Sequence, residues 1–472
     1  MTFTTLYFLV FVAVVVLVYL LLPQKIKPHF IILASLVFYF FWKAWAPVFI
    51  IAFALFNFVM AKVLAKQKSK KFFVLLMSVS LSVILFFVFR YGIFNGIIAA
   101  ITGGNTIMIL FPLGFSYYMF KCVSYLIDVN NGTIAPEPRF DYFLIYVTYF
   151  PEVSMGPITR AVDFLPQIRI KKVIDTTALN KGLALVAWGF FKKIVFADML
   201  ASMINPYYND LTLSNNGFAW FFVAFGFLLQ LYLDFSAYTN ISIGVSKMLG
   251  YDIKPNFNAP FFSQSISEFW RKWHISLSSW LADYVFTPLQ FLLRRLGKFA
   301  SIIPALITFT LIGVWHGGTS SYLVFGFSMG VLVAIDAIVA RKRKKLKKTL
   351  PKSLFSTVGI IITMLLNILV FVFMRTGVAA DGFAIIDKIF SFSTWSLQLG
   401  FGLEFFIIFA LSIAVAICSH IIESRKDKFL DGFARLKLPV TWLVYLVVIF
   451  AIVLFGYYGP GYDAIEFIYI GF

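Results

Sequence analysis

The stretch Phe3-Thr-Thr-Leu-Tyr-Phe-Leu-Val-Phe-Val-Ala-Val-Val-Val-Leu-Val-Tyr-Leu-Leu-Leu22 contains no charged residue. About 20 apolar residues suffice to cross the ~30 Å hydrocarbon layer of a bilayer, so this run has the length of a transmembrane helix. It lacks the basic leader and small-residue cleavage site of a signal peptide and is expected to be retained. Comparable apolar stretches follow at 30–41, 47–63, 72–89, 106–127, 179–200, 218–245, 302–314, 322–339, 355–374, 405–420 and 440–454. The expectation is an all-α, polytopic integral membrane protein with about eleven or twelve transmembrane helices. Its composition agrees: with 61% hydrophobic residues and a mean hydropathy of +0.90, the 472-residue chain cannot present an ordinary water-facing surface.

A formal charge of +19 would suggest nucleic acid in a soluble protein. Here the cations fall into short clusters between apolar spans: Lys25 and Lys27; Lys66, Lys68, Lys70 and Lys71; the run 341–348; and Arg425, Lys426 and Lys428. Under the positive-inside rule these clusters are cytoplasmic, which places the N-terminus and the tail 456–472 outside; the expected location is the cell (inner or cytoplasmic) membrane, multi-pass. No nucleic-acid partner is implied, and the alternative use of such clusters is binding of anionic lipid or substrate. Cys122 and Cys418 both lie in apolar surroundings, which indicates neither a disulfide framework nor a thiolate metal site. No other metal-ligand spacing, phosphate loop or nucleophile elbow is present.

The regular pattern fails over 128–180 and 250–300, where prolines, glycines and charges interrupt it. Irregular backbone at membrane depth survives only when covered by protein or lining a wet cavity, so chemistry is sought there. The stretch 268–285 has the spacing of one amphipathic helix, with Phe269, Trp270, Trp273, Leu277, Trp280, Leu281, Tyr284 and Val285 on one face. It is too charged to span, and suits an interface or a place packed along the bundle. His274 falls at the edge of that stripe, where a structural role and a chemical one compete.

His316 ends an apolar run and is followed by Gly317-Gly-Thr-Ser-Ser321. One helix is predicted to stop there and another to start, with Thr319 or Ser320 as N-cap. Gly313 and Gly317 form a small-xxx-small pair that lets a second helix approach closely. An ionisable group at such a break is a functional candidate by default. A neutral imidazole there can take the proton from an acceptor hydroxyl attacking a thioester, while a core histidine or a proton or ion relay fits the same residues. His29 and His420 read as interfacial. Asp234 lies inside a span, where a charge costs roughly 2.5–3.5 kcal/mol on insertion scales, so it must have partners: a catalytic imidazole, or hydroxyls and backbone. Lys121 and Asp128 are a candidate structural pair.

The order of several short blocks adds to this. Phe111-Pro-Leu-Gly-Phe-Ser-Tyr-Tyr118, Phe150-Pro-Glu-Val-Ser-Met-Gly-Pro-Ile-Thr-Arg160, Gly189-Phe-Phe-Lys-Lys-Ile-Val-Phe-Ala-Asp198, Asp234-Phe-Ser-Ala-Tyr238, Pro255-Asn-Phe-Asn-Ala-Pro260, Glu268-Phe-Trp-Arg-Lys-Trp-His-Ile-Ser-Leu-Ser278, Trp315-His-Gly317 and Phe467-Ile-Tyr-Ile-Gly-Phe472 succeed one another over most of the chain. In this the protein resembles the membrane-bound O-acyltransferase family, in the bacterial branch that O-acetylates alginate and peptidoglycan.

The resemblance implies one membrane domain over 1–472 with its catalytic core at about 106–340, and re-entrant or interfacial helices around a central funnel or tunnel. It implies that His316 and His274 are the catalytic residues, His316 as the family's essential histidine and His274 as its second motif histidine, with Trp315, Gly317, Trp273, Ser276, Ser278 and Asp234 supporting the site or its tunnel. It further implies acetyl-CoA as the cytosolic acyl donor with no bound cofactor, membrane lipid around the protein, and an envelope glycan as acceptor. An extracytoplasmic SGNH-hydrolase-like partner protein is implied to complete the transfer. Alternatives are D-alanyl transfer to teichoic acid from a carrier protein, and a channel or transporter. The absence of an internal repeat weighs against the transporter. The sequence departs from the family where Thr319-Ser320 and Met329-Gly330 replace an aromatic and a His-Gly pair, Gln290-Phe-Leu-Leu-Arg-Arg295 replaces a Gly-Gly-Asn loop, and Ala237 and Ala282 replace a glycine and an arginine.

Overall fold

The computed structural model describes residues 5–67, 69–93 and 111–459. Phe3 and Thr4 of the first apolar run, Lys68, the start of the predicted span 106–127 and the block Phe467–Phe472 lie outside the described residues. Every described element is helical. Among the described residues, eight helices are long and apolar enough to cross a membrane: Ala46–Lys66, Lys71–Arg90, Gly217–Met248, Phe299–His316, Ser320–Thr349, Lys352–Arg375, Leu403–Ser424 and Leu438–Phe455. Two shorter apolar helices, Tyr7–Leu21 and Lys27–Trp42, cover the first two predicted spans. The predicted span 179–200 is an interrupted run: Thr176–Phe190, a π-helical turn Phe191–Ala197, then Asp198–Asn209.

The described residues cluster into two compact units, one drawn from Met1–Leu183 and Ser242–Lys254, the other from Ala184–Ile241 and Pro255–Phe472. In the first, α1 (Leu6–Leu21) is capped by the Thr5 side chain, which accepts from the Phe8 amide. α2 (Lys27–Trp42) and α3 (Ala46–Lys66) each carry proline in the first turn, where the missing N–H costs nothing. Phe49 and Phe53 of α3 meet Phe115 and Tyr118 of the helix Phe115–Asn131 at ring separations of 5.3–5.6 Å, tying these helices together.

Lys121 lies in the same unit, and its partner is not Asp128. Lys121 instead pairs with buried Glu152, which also accepts from the Thr159 hydroxyl, and it donates to the Tyr146 carbonyl at 3.0 Å.

In the second unit the portion of Gly217–Met248 up to Ile241 is buried all round: Trp220, Val223, Phe227, Leu231, Tyr232, Phe235 and Tyr238 are all inaccessible. A helix apolar on every face belongs in a core. Leu438–Phe455 shows the opposite disposition, with Thr441 its one buried residue and Trp442, Leu443, Val447, Phe450 and Leu454 outward. An outward apolar face of that kind is what a bilayer covers. Phe299–His316 and Ser320–Thr349 form a tightly packed hairpin. A Cβ on Gly313 would lie 2.2 Å from the Tyr322 carbonyl oxygen, so only glycine permits this approach.

Candidate active site

The predicted helix over 268–285 is broken at His274. Ile266–Lys272 ends at Trp273, His274 adopts φ 43° and ψ 54°, and a new helix runs Ile275–Leu281 before a π-helical turn at Ala282–Phe286. Left-handed backbone is unfavourable for a residue with a Cβ, and among the described non-glycine residues only Ala259 and His274 adopt it. The Pro255-Asn-Phe-Asn258 segment holds the break open. The Asn256 carbonyl accepts from the Ile275 amide at 2.9 Å, the Asn256 side-chain oxygen accepts from the Ser276 amide at 3.2 Å, and the Asn258 amide donates to the Lys272 carbonyl at 3.0 Å. On an unbroken helix Trp270 and Ser278 would each lie one turn from His274; with the break they are no guide to where its ring goes. Ser278 returns its hydroxyl to the Trp273 carbonyl at 3.0 Å.

The His274 ring is 1% exposed and stands edge-on to Phe235 at 4.6 Å. Burial pushes its imidazole down to about 3, so it is neutral near pH 7. Trp273 beside it is enclosed by Phe257, Phe269 and Phe371 at 5.1–5.6 Å.

His316 is the last residue of Phe299–His316, as the sequence predicts, and is 2% exposed. Its ring meets Trp315 at 4.6 Å, Phe325 at 6.0 Å and Tyr322 at 6.2 Å. A Cβ on Gly317 would fall 2.5 Å from the Tyr322 ring, so that glycine admits the aromatic wall next to the imidazole. Thr319 occupies the N-cap position of the next helix, but its side chain makes no capping bond. Ser321 and Ser320 hold that start instead, by donating to the Phe373 carbonyl and accepting from the Ala379 amide. Trp315 reaches the other histidine as well, with its ring 6.4 Å from that of His274. The two imidazoles thus flank one indole. Beside the His274 break, Trp270, Ile275 and Ser278 line a cavity of about 440 Å³ with Thr308, Phe309 and Ile312 of the helix that ends in His316.

Asp234 pairs with Lys193, whose ammonium lies 2.7 Å from it and 2.6 Å from Asp198. Both lysines of the π-helical turn are fully buried, and Lys192 donates to the Ser236 hydroxyl at 2.7 Å. π-helical turns often mark functional sites, because the extra residue swings side chains out of the regular register. Sequence reading placed neither lysine in the site. The available signal was two cations inside an apolar run, which must find counter-charges.

Glu423 was also missed: it accepts from the Tyr232 hydroxyl at 2.7 Å and from the Ala259 amide at 2.8 Å, securing the second left-handed residue. His420 is buried rather than interfacial, its Nε2 accepting from the Phe261 amide at 3.1 Å. His29 is largely exposed, 3.6 Å from Asp141. No group of three or more His, Cys, Asp or Glu side chains able to hold a metal ion comes together among the described residues.

Comparison with known proteins decides what this arrangement belongs to. The family model for membrane-bound O-acyltransferases matches residues 132–374, which contain both histidines. The chain belongs to the membrane-bound O-acyltransferase family. It is 30% identical over 391 residues to a protein named "Probable alginate O-acetylase" of Pseudomonas aeruginosa, covering 80% of this chain and 73% of that one. It is 27% identical to the peptidoglycan O-acetyltransferase of Helicobacter pylori over 69% of this chain and 67% of the relative. To the teichoic acid D-alanyltransferase of Bacillus subtilis it is 31% identical over 53% and 65%. This membrane-bound O-acyltransferase is thus a multi-pass membrane enzyme that transfers acyl groups.

Proposed function

We propose that the protein takes an acetyl group from acetyl-CoA on the cytosolic side of the inner membrane and delivers it to hydroxyls of an envelope glycan. In this reading His316 is the general base. Its imidazole accepts the proton of the acceptor hydroxyl as that oxygen attacks the thioester carbonyl. The tetrahedral adduct then expels the thiolate, which takes the proton back. His274, neutral and fixed on strained backbone, positions the wall opposite Trp315, with Trp273, Ser276 and Ser278 behind it. Gly317 admits Tyr322, and Asp234 with Lys193 braces the neighbouring helices rather than orienting an imidazole.

The observation that carries the reading is the placement of a buried histidine at a helix end with a second buried histidine across one indole. The proposal includes a catalytic core within 106–340, a tunnel that lets donor and acceptor reach one site from opposite sides of the membrane, and an SGNH-hydrolase-like partner outside. Mass spectrometry of envelope glycans from cells with and without the gene tests it: acetyl ester must disappear with the gene. The D-alanyltransferase relative supports one second reading, alanyl transfer from a carrier protein. An alanyl mass increment in the same spectra would select it.

A further inference from the structure

Within the first unit, the turn joining α1 to α2, the segment around residue 139 and the stretch 168–172, where the helix Ala161–Arg169 ends, enclose a cleft of about 390 Å³. That lies within the range of small-ligand pockets, roughly 300–1,000 Å³. Six cations line it: Lys25, Lys27, Arg139, Arg169, Lys171 and Lys172. The two arginines are matched, Arg139 by Asp141 and Arg169 by Glu137, each at 2.5 Å. Among the described residues no carboxylate pairs with Lys25, Lys27, Lys171 or Lys172. A concave cluster of unmatched cations focuses a positive potential, and lysine is a common phosphate ligand.

A charge cluster that served only to orient the chain in the membrane would need neither walls nor fixed positions, because orientation depends on the number of cations in a loop. This cluster has both. Gln24 donates to the Lys172 carbonyl at 2.6 Å and accepts from the Lys172 amide at 3.1 Å, joining segments 148 residues apart. The Lys172 ammonium sits 3.9 Å from the centre of the Tyr251 ring, and that of Lys27 4.8 Å from Tyr19, with Lys27 only 6% exposed. Burial pushes the Lys172 ammonium down to about 8. A bound anion would restore the lost stabilisation of that charge.

We propose that this cleft binds the phosphate of an anionic ligand, either the headgroup of an anionic phospholipid or the phosphates of a soluble donor. Lys25 and Lys27 follow the first apolar helix, on the side the positive-inside rule makes cytoplasmic, where both sources are present. The assignment does not depend on the acyl-transfer reading; only the soluble source does.

The test uses the full-length protein in two arms. In phosphatidylcholine nanodiscs, adenosine 3′,5′-bisphosphate is titrated and binding read by calorimetry. In bilayers of phosphatidylcholine and phosphatidylglycerol, retained lipid is read by native mass spectrometry. Saturable binding in either arm is expected, and the arm in which it occurs identifies the source. The double variant Lys171→Gln/Lys172→Gln should weaken binding at least tenfold. Lys25→Gln, at an exposed side chain, should weaken it several-fold. Lys66→Gln/Lys70→Gln, in a different basic cluster, should leave it unchanged. No saturable binding in either arm, unchanged binding in the cleft variants, or an equal loss in the Lys66/Lys70 control overturns the proposal.

Discussion

The ring of His274 lies 6.4 Å from the indole of Trp315, the residue that immediately precedes His316. Two histidines 42 positions apart in the chain are therefore walls of one aromatic enclosure. If His316 is the base, replacing it by glutamine keeps the volume and removes the proton acceptor. General-base catalysis contributes roughly 10²–10⁴-fold, so His316→Gln should lower glycan acylation by about 100-fold or more at normal protein abundance. Full acylation by this variant, measured as ester content of the envelope, would sink the assignment.

The left-handed backbone at His274 separates two roles of that residue. Asparagine tolerates this conformation and a β-branched residue does not, the penalty being about 1–3 kcal/mol. His274→Asn should melt close to the native protein in detergent but lose activity. His274→Val should in addition lose thermal stability. Equal melting of the two variants would mean that the backbone at His274 is not strained.

The same residue makes stability depend on pH. Its folded value, about 3, lies below the ordinary 6.5, so the unfolded chain takes up a proton there before the folded one does. The contribution is complete above pH 6.5 and falls as pH drops toward 3. His274→Asn should flatten the decline in melting temperature between pH 6.5 and 5. A decline identical in the native protein and the variant would contradict a buried neutral imidazole.

Lys193 bridges two carboxylates in an apolar core. Breaking a buried pair by removing one partner typically costs about 3–5 kcal/mol, because the remaining charge is left uncompensated. Lys193→Met should reduce the folded fraction sharply, and Lys193→Met/Asp198→Asn/Asp234→Asn should recover most of it. Fluorescence-detected size-exclusion melting distinguishes them. If the triple variant is no better than the single one, Lys193 acts through something other than charge balance.

Gly313 faces the Tyr322 carbonyl at a distance that leaves no room for a methyl group. Overpacking of this kind costs roughly 1–3 kcal/mol. Gly313→Ala should part the hairpin, shift His316 and lower activity more than abundance. Activity and abundance falling in proportion would make Gly313 a stability residue only.

The apolar runs, and the cations between them, are enough to establish a multi-pass helical membrane protein, because crossing a bilayer demands a length and a composition that can be counted residue by residue. The end of a helix at His316 is equally legible, since an apolar stretch running into Gly317-Gly318 is a local signal. The break at His274 is not. The stretch 268–285 keeps helical periodicity throughout, and what interrupts it is Asn256, whose main-chain and side-chain oxygens take the amides of Ile275 and Ser276. The same holds for the partners of buried charge: that Lys121 meets Glu152, and Lys193 meets both Asp198 and Asp234, depends on which helices pack together. Periodicity and composition report a segment's own backbone and its preference for oil or water. Which distant group satisfies a buried donor or acceptor is decided only when the tertiary structure closes around it.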